Sequence, residues 1–211
     1  MVGAALVASS QVAHWRDTES LWTRAIEAND GHVEAYIQLS QAFFVRGERE
    51  RARYQATLAV EVAPDSPFAH YQLGMVLASL QRHEQARPHL ERVLQIDPSM
   101  TPALLTLAEI DRREANYQAA LAGFERALQL DPRLLKMPTI EQALSLTLRS
   151  QYEAARDAGR DLSAPRADYR RIQRRYPEWE DVAQAFRTLE TANPAPSAAP
   201  HDATRTRSGS R

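Results

Sequence analysis

PFAHYQLGMVLASLQRHEQARPHLERVLQIDPSM, residues 67–100, is the middle copy of a 34-residue sentence written three times between Val33 and Leu134. Pro64, Pro98 and Pro132 are 34 residues apart, and so are Ala52, Ala86 and Ala120. A fixed period of this length marks stacked units, none of which can bury its apolar face alone. The quoted stretch carries two apolar stripes at helical spacing: Leu73, Val76, Leu77 and Leu80, then Ala86, Leu90, Val93 and Leu94. Each copy therefore predicts two antiparallel helices. Gly74, Ser40 and Ala108, with Ala52, Ala86 and Ala120, fall where paired helices must approach most closely. A larger side chain there would overpack the pair at a cost of about 1–3 kcal/mol. Ser66-Pro67 and Thr101-Pro102 read as an N-cap followed by proline at the first helical position. Gly47 and Asn116 are the expected left-handed turn residues. The Asp-Pro pairs at 97–98 and 131–132 end the second helices, because a residue before proline avoids the α region.

Position by position, the copies resemble tetratricopeptide (TPR) repeats, whose pattern is W-x2-L-G-x2-Y, then A-x3-F, then P. Residues 67–100 place His70, Leu73-Gly74, Leu77, Ala86, Leu90 and Pro98 in those slots. Residues 33–66 place Tyr36, Leu39-Ser40, Phe43, Ala52, Ala56 and Pro64 there, and residues 101–134 place Leu104, Leu107-Ala108, Asp111, Ala120, Phe124 and Pro132. Asp111 in an aromatic slot predicts a less fully covered helix at that point. The resemblance implies an all-α, right-handed solenoid of antiparallel helix pairs that acts as a protein-interaction scaffold.

Outward from the repeats, the 211 residues are 44% hydrophobic and 25% charged, with 7 glycines and a net charge of −1. That composition fits one helical domain and exerts no overall pull toward nucleic acid or anionic membrane. The absence of cysteine excludes disulfides, thiolate catalysis and Cys-ligated zinc. Residues 1–132 hold 12 basic and 17 acidic side chains, so the remainder is net positive.

The opening segment, residues 1–13, is apolar over about seven residues, against the ~20 needed to span a bilayer. It reads as a frayed start, the end of a membrane helix begun upstream, or the first helix of a degenerate repeat. Residues 14–30 read as a half-repeat helix with Trp15, Leu21, Trp22 and Ile26 on its apolar side, which on the plain reading is an N-terminal packing helix anchored by two tryptophans. Small apolar run, W-R-D-x-x-x-L-W block and repeats together resemble the junction of multi-pass membrane proteins with TPR tails. That resemblance implies an alternative, in which the chain is the extracytoplasmic tail of a membrane glycosyltransferase-like protein whose catalytic part lies elsewhere. Its location is accordingly expected to be either cytoplasmic or membrane-attached and extracytoplasmic. Membrane association would run only through this segment or through sequence upstream.

After Leu134 the period breaks. Thr139-x-x-Gln142 reads as a capping box opening a helix over about 139–159. Two more helices are expected over 163–176 and 177–191. Residues 135–192 thus form a decayed repeat and capping helices for the last apolar face. The tail, 193–211, is rich in Pro, Ser, Thr and Arg and is expected to be disordered.

No nucleophile elbow, phosphate-cradling glycine loop or H-E-x-x-H motif is present. No catalytic residue, cofactor or metal ligand is expected, and the six histidines read as solvated or packing residues. The carboxylate pairs Glu48/Glu50 and Glu109/Asp111 lie two apart on a helix and do not face each other, so solvated faces are expected. Arg170, Arg171, Arg174 and Arg175 form two adjacent basic rows at helical spacing. Surface pairing, protein or membrane contact and nucleic-acid binding all compete there, though no aromatic ladder for bases is interleaved. The partner expected is a protein or peptide, not nucleic acid. In TPR proteins, unit positions 2, 5, 9 and 12 of the first helix point into a concave groove. Carried onto this chain, those slots include Ile37, Gln41 and Phe44, then Phe68, Tyr71 and Met75, then Leu105, Glu109 and Arg112. An apolar groove of this kind fits an amphipathic helix or an extended apolar segment, unless the chain's own C-terminal helices fill it.

Overall fold

A computed structural model describes residues 19–29 and 32–192. The apolar opening segment, the start of the half-repeat and the tail from 193 lie outside the described residues. Helix α1 runs over 19–28. Three helix pairs follow: α2 Val33–Val45 with α3 Arg49–Val62, α4 Pro67–Ser79 with α5 His83–Ile96, and α6 Thr101–Arg113 with α7 Tyr117–Leu130. A 3-10 turn, Pro132–Lys136, leads to α8 Pro138–Asp157, α9 Ser163–Arg175 and α10 Glu180–Ala192. No strand occurs among the described residues.

Partners within a pair pack most extensively, and α3–α4 and α5–α6 join one pair to the next. The first helices also touch in series, α2 with α4 and α4 with α6, whereas no comparable contact joins α3 to α5 or α5 to α7. Closer spacing on one side bends the array. The chain is therefore an all-helical TPR-type solenoid with α2, α4 and α6 on its inner face.

Small residues set the pair spacing. Ala52, Ala86, Ala120, Ala108 and Ser40 are all buried. A Cβ added to Gly74 would lie 2.8 Å from Leu90 Cγ, and one on Gly123 would lie 2.9 Å from Ala108 Cβ. Gln72 Nε2 donates to Ser40 Oγ at 3.0 Å, tying α4 to α2 through a buried polar contact. Trp22 and Ile26 of α1 pack on the Leu39, Phe43, Ala52 and Val76 cluster, covering the first unit.

Each first helix ends with the same motif. Gly47, Gln81 and Ala115 all have positive φ, at 81°, 60° and 62°. The amide after each donates to the carbonyl five residues back: Glu48 to Phe43, Arg82 to Leu77 and Asn116 to Asp111. This is the Schellman closure, which satisfies carbonyls that a helix end otherwise leaves unpaired. The left-handed residue of the third unit is thus Ala115, one before the Asn116 expected. Left-handed backbone costs a non-glycine residue about 1–2 kcal/mol, partly offset by glycine's extra freedom when unfolded. Ala115→Gly should therefore stabilise the protein by roughly 0.5–1 kcal/mol in a urea melt. A less stable variant would mean the backbone at 115 differs from that described.

Three other local expectations change. Ser66 caps α4 as anticipated, its Oγ accepting from Ala69 N–H at 3.3 Å. At α6, however, Met100 occupies the cap and Thr101 the first helical position, with no side-chain cap bond. At α8 proline takes Thr139's place: the helix begins at Pro138 behind Met137, and no capping box forms. Helix α10 begins at Glu180 and not Pro177, because Tyr176 and Trp179 stack across the intervening turn with ring centroids 4.4 Å apart.

The last three helices close the solenoid. α8, at 20 residues, packs on α7, α9 and α10, and α10 packs back on α8 and α9. Their core joins Leu144, Leu148, Tyr152, Tyr169, Ile172, Trp179, Val182 and Phe186 to the Leu121, Phe124 and Leu128 face of α7.

The concave face of the first helices

The inner face is built by position. Unit positions 2, 5, 9 and 12 of each first helix are the slots expected to face inward. Phe68 is 63% exposed, an unusual degree for a phenylalanine on a helix. Around it Ile37, Phe44, Tyr71 and Met75 are partly exposed, each with one side packed on a core cluster. Gln41 is exposed, and Leu105, Glu109 and Arg112 are partly so. None of the nine is fully buried, so all contribute to an accessible surface.

Helices α8, α9 and α10 do not pack against α2 or α4. Within the described residues, the chain's own C-terminal helices therefore leave the Phe68, Tyr71 and Met75 region uncovered. Farther along, Ala78, Ser79, Leu105, Thr106, Glu109 and Arg113 line a depression of about 360 Å³ between α4 and α6. Burial pushes the Tyr71 phenol above its usual range, and the nearby Thr106 hydroxyl partly offsets this. Thr106 was not expected here. It follows the slot at Leu105 by one residue, and its hydroxyl donates to the Pro102 carbonyl at 2.8 Å.

At its α6 end the face sets two guanidiniums against one carboxylate. Arg112 donates to both Glu109 oxygens, at 2.8 and 2.6 Å, and Arg113 donates to Glu109 at 2.8 Å. Burial alone would raise the Glu109 carboxyl, but the two guanidiniums outweigh it and hold the group below the usual carboxylate range. Asp111 departs from the solvated, thinly covered position expected of it. It is only 7% exposed, because Arg87 of α5 reaches across to donate to it at 2.7 Å and to Glu114 at 2.6 Å. A salt bridge occupies the slot that an aromatic ring fills in the family pattern.

The arginine rows of α9 do not present one uniform face. Arg171 donates to Glu125 of α7 and, at 3.0 Å, to Asp168. Asp168 also accepts from Gln118 at 2.6 Å and Gln151 at 3.0 Å, so this network fastens α9 to α7 and α8. The Arg175 guanidinium lies 5.8 Å from the centroid of the Tyr176 ring. Among the described residues no three metal-ligating side chains gather, and no helix is long and apolar enough to cross a membrane.

Residues 77–133 match the tetratricopeptide repeat family. Among solved structures, one similar to this chain is YrrB, described as a TPR protein with an unusual peptide-binding site. It aligns at TM-score 0.62 and 18% identity over 84% of this chain and 86% of its own. MamA aligns at TM-score 0.59 and 14% identity over 88% and 94% respectively. The TPR domain of Arabidopsis OM64 aligns at 0.51 and 19% identity over 55% and 93%. Likeness at these identities speaks to the fold. No curated protein sequence matches the chain.

Proposed function

We propose that this chain, a tetratricopeptide-repeat solenoid, is a protein-interaction scaffold that grips an amphipathic helix or extended apolar peptide on the inner face of α2, α4 and α6. On this reading it performs no catalysis of its own. The observation that carries the proposal is Phe68, 63% exposed beside the half-buried Tyr71 and Met75. Exposed aromatic and methionine side chains held on rigid helices lose little entropy on contact and adapt to the shape they meet. The peptide-binding site named for YrrB supports the same class of partner. The Glu109, Arg112 and Arg113 cluster pairs one carboxylate with two guanidiniums, and its surplus positive charge favours an acidic group on the partner segment there.

A photo-crosslinking amino acid in place of Phe68 should capture a partner in the source cell, while the same probe at Glu91, exposed on α5, should not. Tyr71→Ala combined with Met75→Ala should weaken the captured complex by more than about tenfold while leaving a helical, cooperatively melting protein. Equal capture from position 91, or undiminished affinity in the double variant, would move the binding surface elsewhere.

A further inference from the structure

Two histidines from the paired helices of the second unit meet beside the turn that joins it to the first. His70 of α4 is 9% exposed, and its Nε2 lies 2.8 Å from the carbonyl oxygen of Pro64 in the α3–α4 turn. Its Nδ1 lies 3.0 Å from Nδ1 of His89 on α5. A carbonyl only accepts, so His70 Nε2 carries a hydrogen, and in the neutral ring that leaves Nδ1 as an acceptor. His89 must then donate from its own Nδ1. Chemistry thus fixes both tautomers, in a relay running from His89 through His70 to the backbone of the inter-unit turn. His89 Nε2 can take up a proton without breaking the relay. A second proton, on His70 Nδ1 once His89 is charged, would set two N–H groups against each other at 3.0 Å.

We propose that the His70–His89 pair is an acid-sensitive latch between α4 and α5, beside the turn to the first unit, closed while the pair holds at most one added proton and opened by a second. Beside it a cleft of about 430 Å³, lined by Arg53, Thr57 and Glu61 of α3 and by Gln85, Pro88 and His89 of α5, gives protons access. The charged groups facing His89 from α3 are Arg53 and Glu61. Arg53 is paired with Glu50 at 2.8 Å. In the turn, Asp65 is held by Arg92 of α5 at 2.8 Å. Helices α2 and α6, also packed on α4, place no charged side chain on the cleft.

Burial, and then the neighbouring His70, hold the His89 imidazole below its ordinary value of 6.5. A histidine depressed in the folded state binds protons more readily when unfolded. The stability it contributes is therefore complete above about pH 6.5, declines as pH falls, and levels off below the folded value. Pro88 lies next to His89 inside α5 and removes one backbone rung, so α5 can shift there more easily than an unbroken helix. Loosening α4 against α5 would let Tyr71 and Met75, both on α4, shift on the inner face. That last consequence rests on the groove reading; the latch itself does not.

The test uses the whole chain without a partner. Melting temperatures are compared from pH 7.5 to 5 for the native protein and for His89→Gln, whose amide can still donate to His70 but cannot titrate. The native protein should lose stability faster on acidification, by up to tenfold in unfolding equilibrium per pH unit for one extra proton. Parallel curves would overturn the latch. Long-range proton–nitrogen spectra of the native protein at pH 7.5 give a second check that needs no variant. Hydrogens on His70 Nε2 and His89 Nδ1 support the relay, and hydrogens on both Nε2 atoms refute it.

Discussion

Replacing Gly74 with leucine is expected to lower the melting temperature by roughly 4–8 °C. The first carbon of any side chain there would sit 2.8 and 2.9 Å from Leu90 Cγ and Cδ2, and 3.4 Å from the Ala86 carbonyl oxygen. Leu90 is fully buried among Leu73, Leu77, Ala86 and Val93, so moving it aside disturbs that cluster. Overpacking of this kind costs about 1–3 kcal/mol and occasionally more. Leucine's better helix propensity returns up to ~1 kcal/mol. A net loss of about 2 kcal/mol corresponds to about 4–8 °C in a chain of this size. Leu90→Ala is costly alone, yet combined with Gly74→Ala it should cost less than the sum of the two, because it removes the atoms that clash. Unchanged melting of Gly74→Leu would mean that α4 and α5 do not cross at this point.

Phe186→Ala is expected to cost about 3–4 kcal/mol and to act on one end of the molecule only. Phe186 is 7% exposed and stacks on Tyr169 with ring centroids 5.0 Å apart, so truncation leaves a cavity between α9 and α10. Stability in a solenoid is close to a sum of unit and neighbour terms. Hydrogen exchange should therefore quicken in α8, α9 and α10 while amides of α4 and α5 stay protected. Equal loss of protection along the chain would show one indivisible core; no loss would show that α10 is not docked.

Much of this architecture is legible in the sequence, because a period repeated three times averages out the ambiguity of any single segment. Leu73, Leu77, Leu90 and Val93 announce their burial through helical spacing. What escapes is set by neighbours distant in sequence. Asp111 reads as exposed until Arg87, 24 residues earlier, is found to reach it. His70 and His89 are 19 apart, and nothing in the spacing along one helix brings them together. The turn residue Ala115 escapes for another reason: the helix pair imposes the left-handed conformation, and no glycine or asparagine at that position signals it. On the inner face, the slots identify Phe68 and Tyr71 as candidates, but whether α8 to α10 fold back over them depends on the direction each leaves α7. Sequence pattern carries no record of that direction.

The ion pairs that span successive helical units have a mechanical consequence. Glu19 bridges to Arg46 and Arg51, Glu50 to Arg82, Asp65 to Arg92, and Arg87 to Asp111 and Glu114, so every joint from α1 to α6 is crossed by at least one. Seen as a coil, the molecule has turns fastened in two ways, by apolar contact and by charge. Ionic strength weakens the partly exposed pairs and hardly reaches the buried contacts. Pitch is thus the property that salt can alter before any unit melts, and a partner laid across several turns would meet a ruler whose divisions widen with the ionic strength around it.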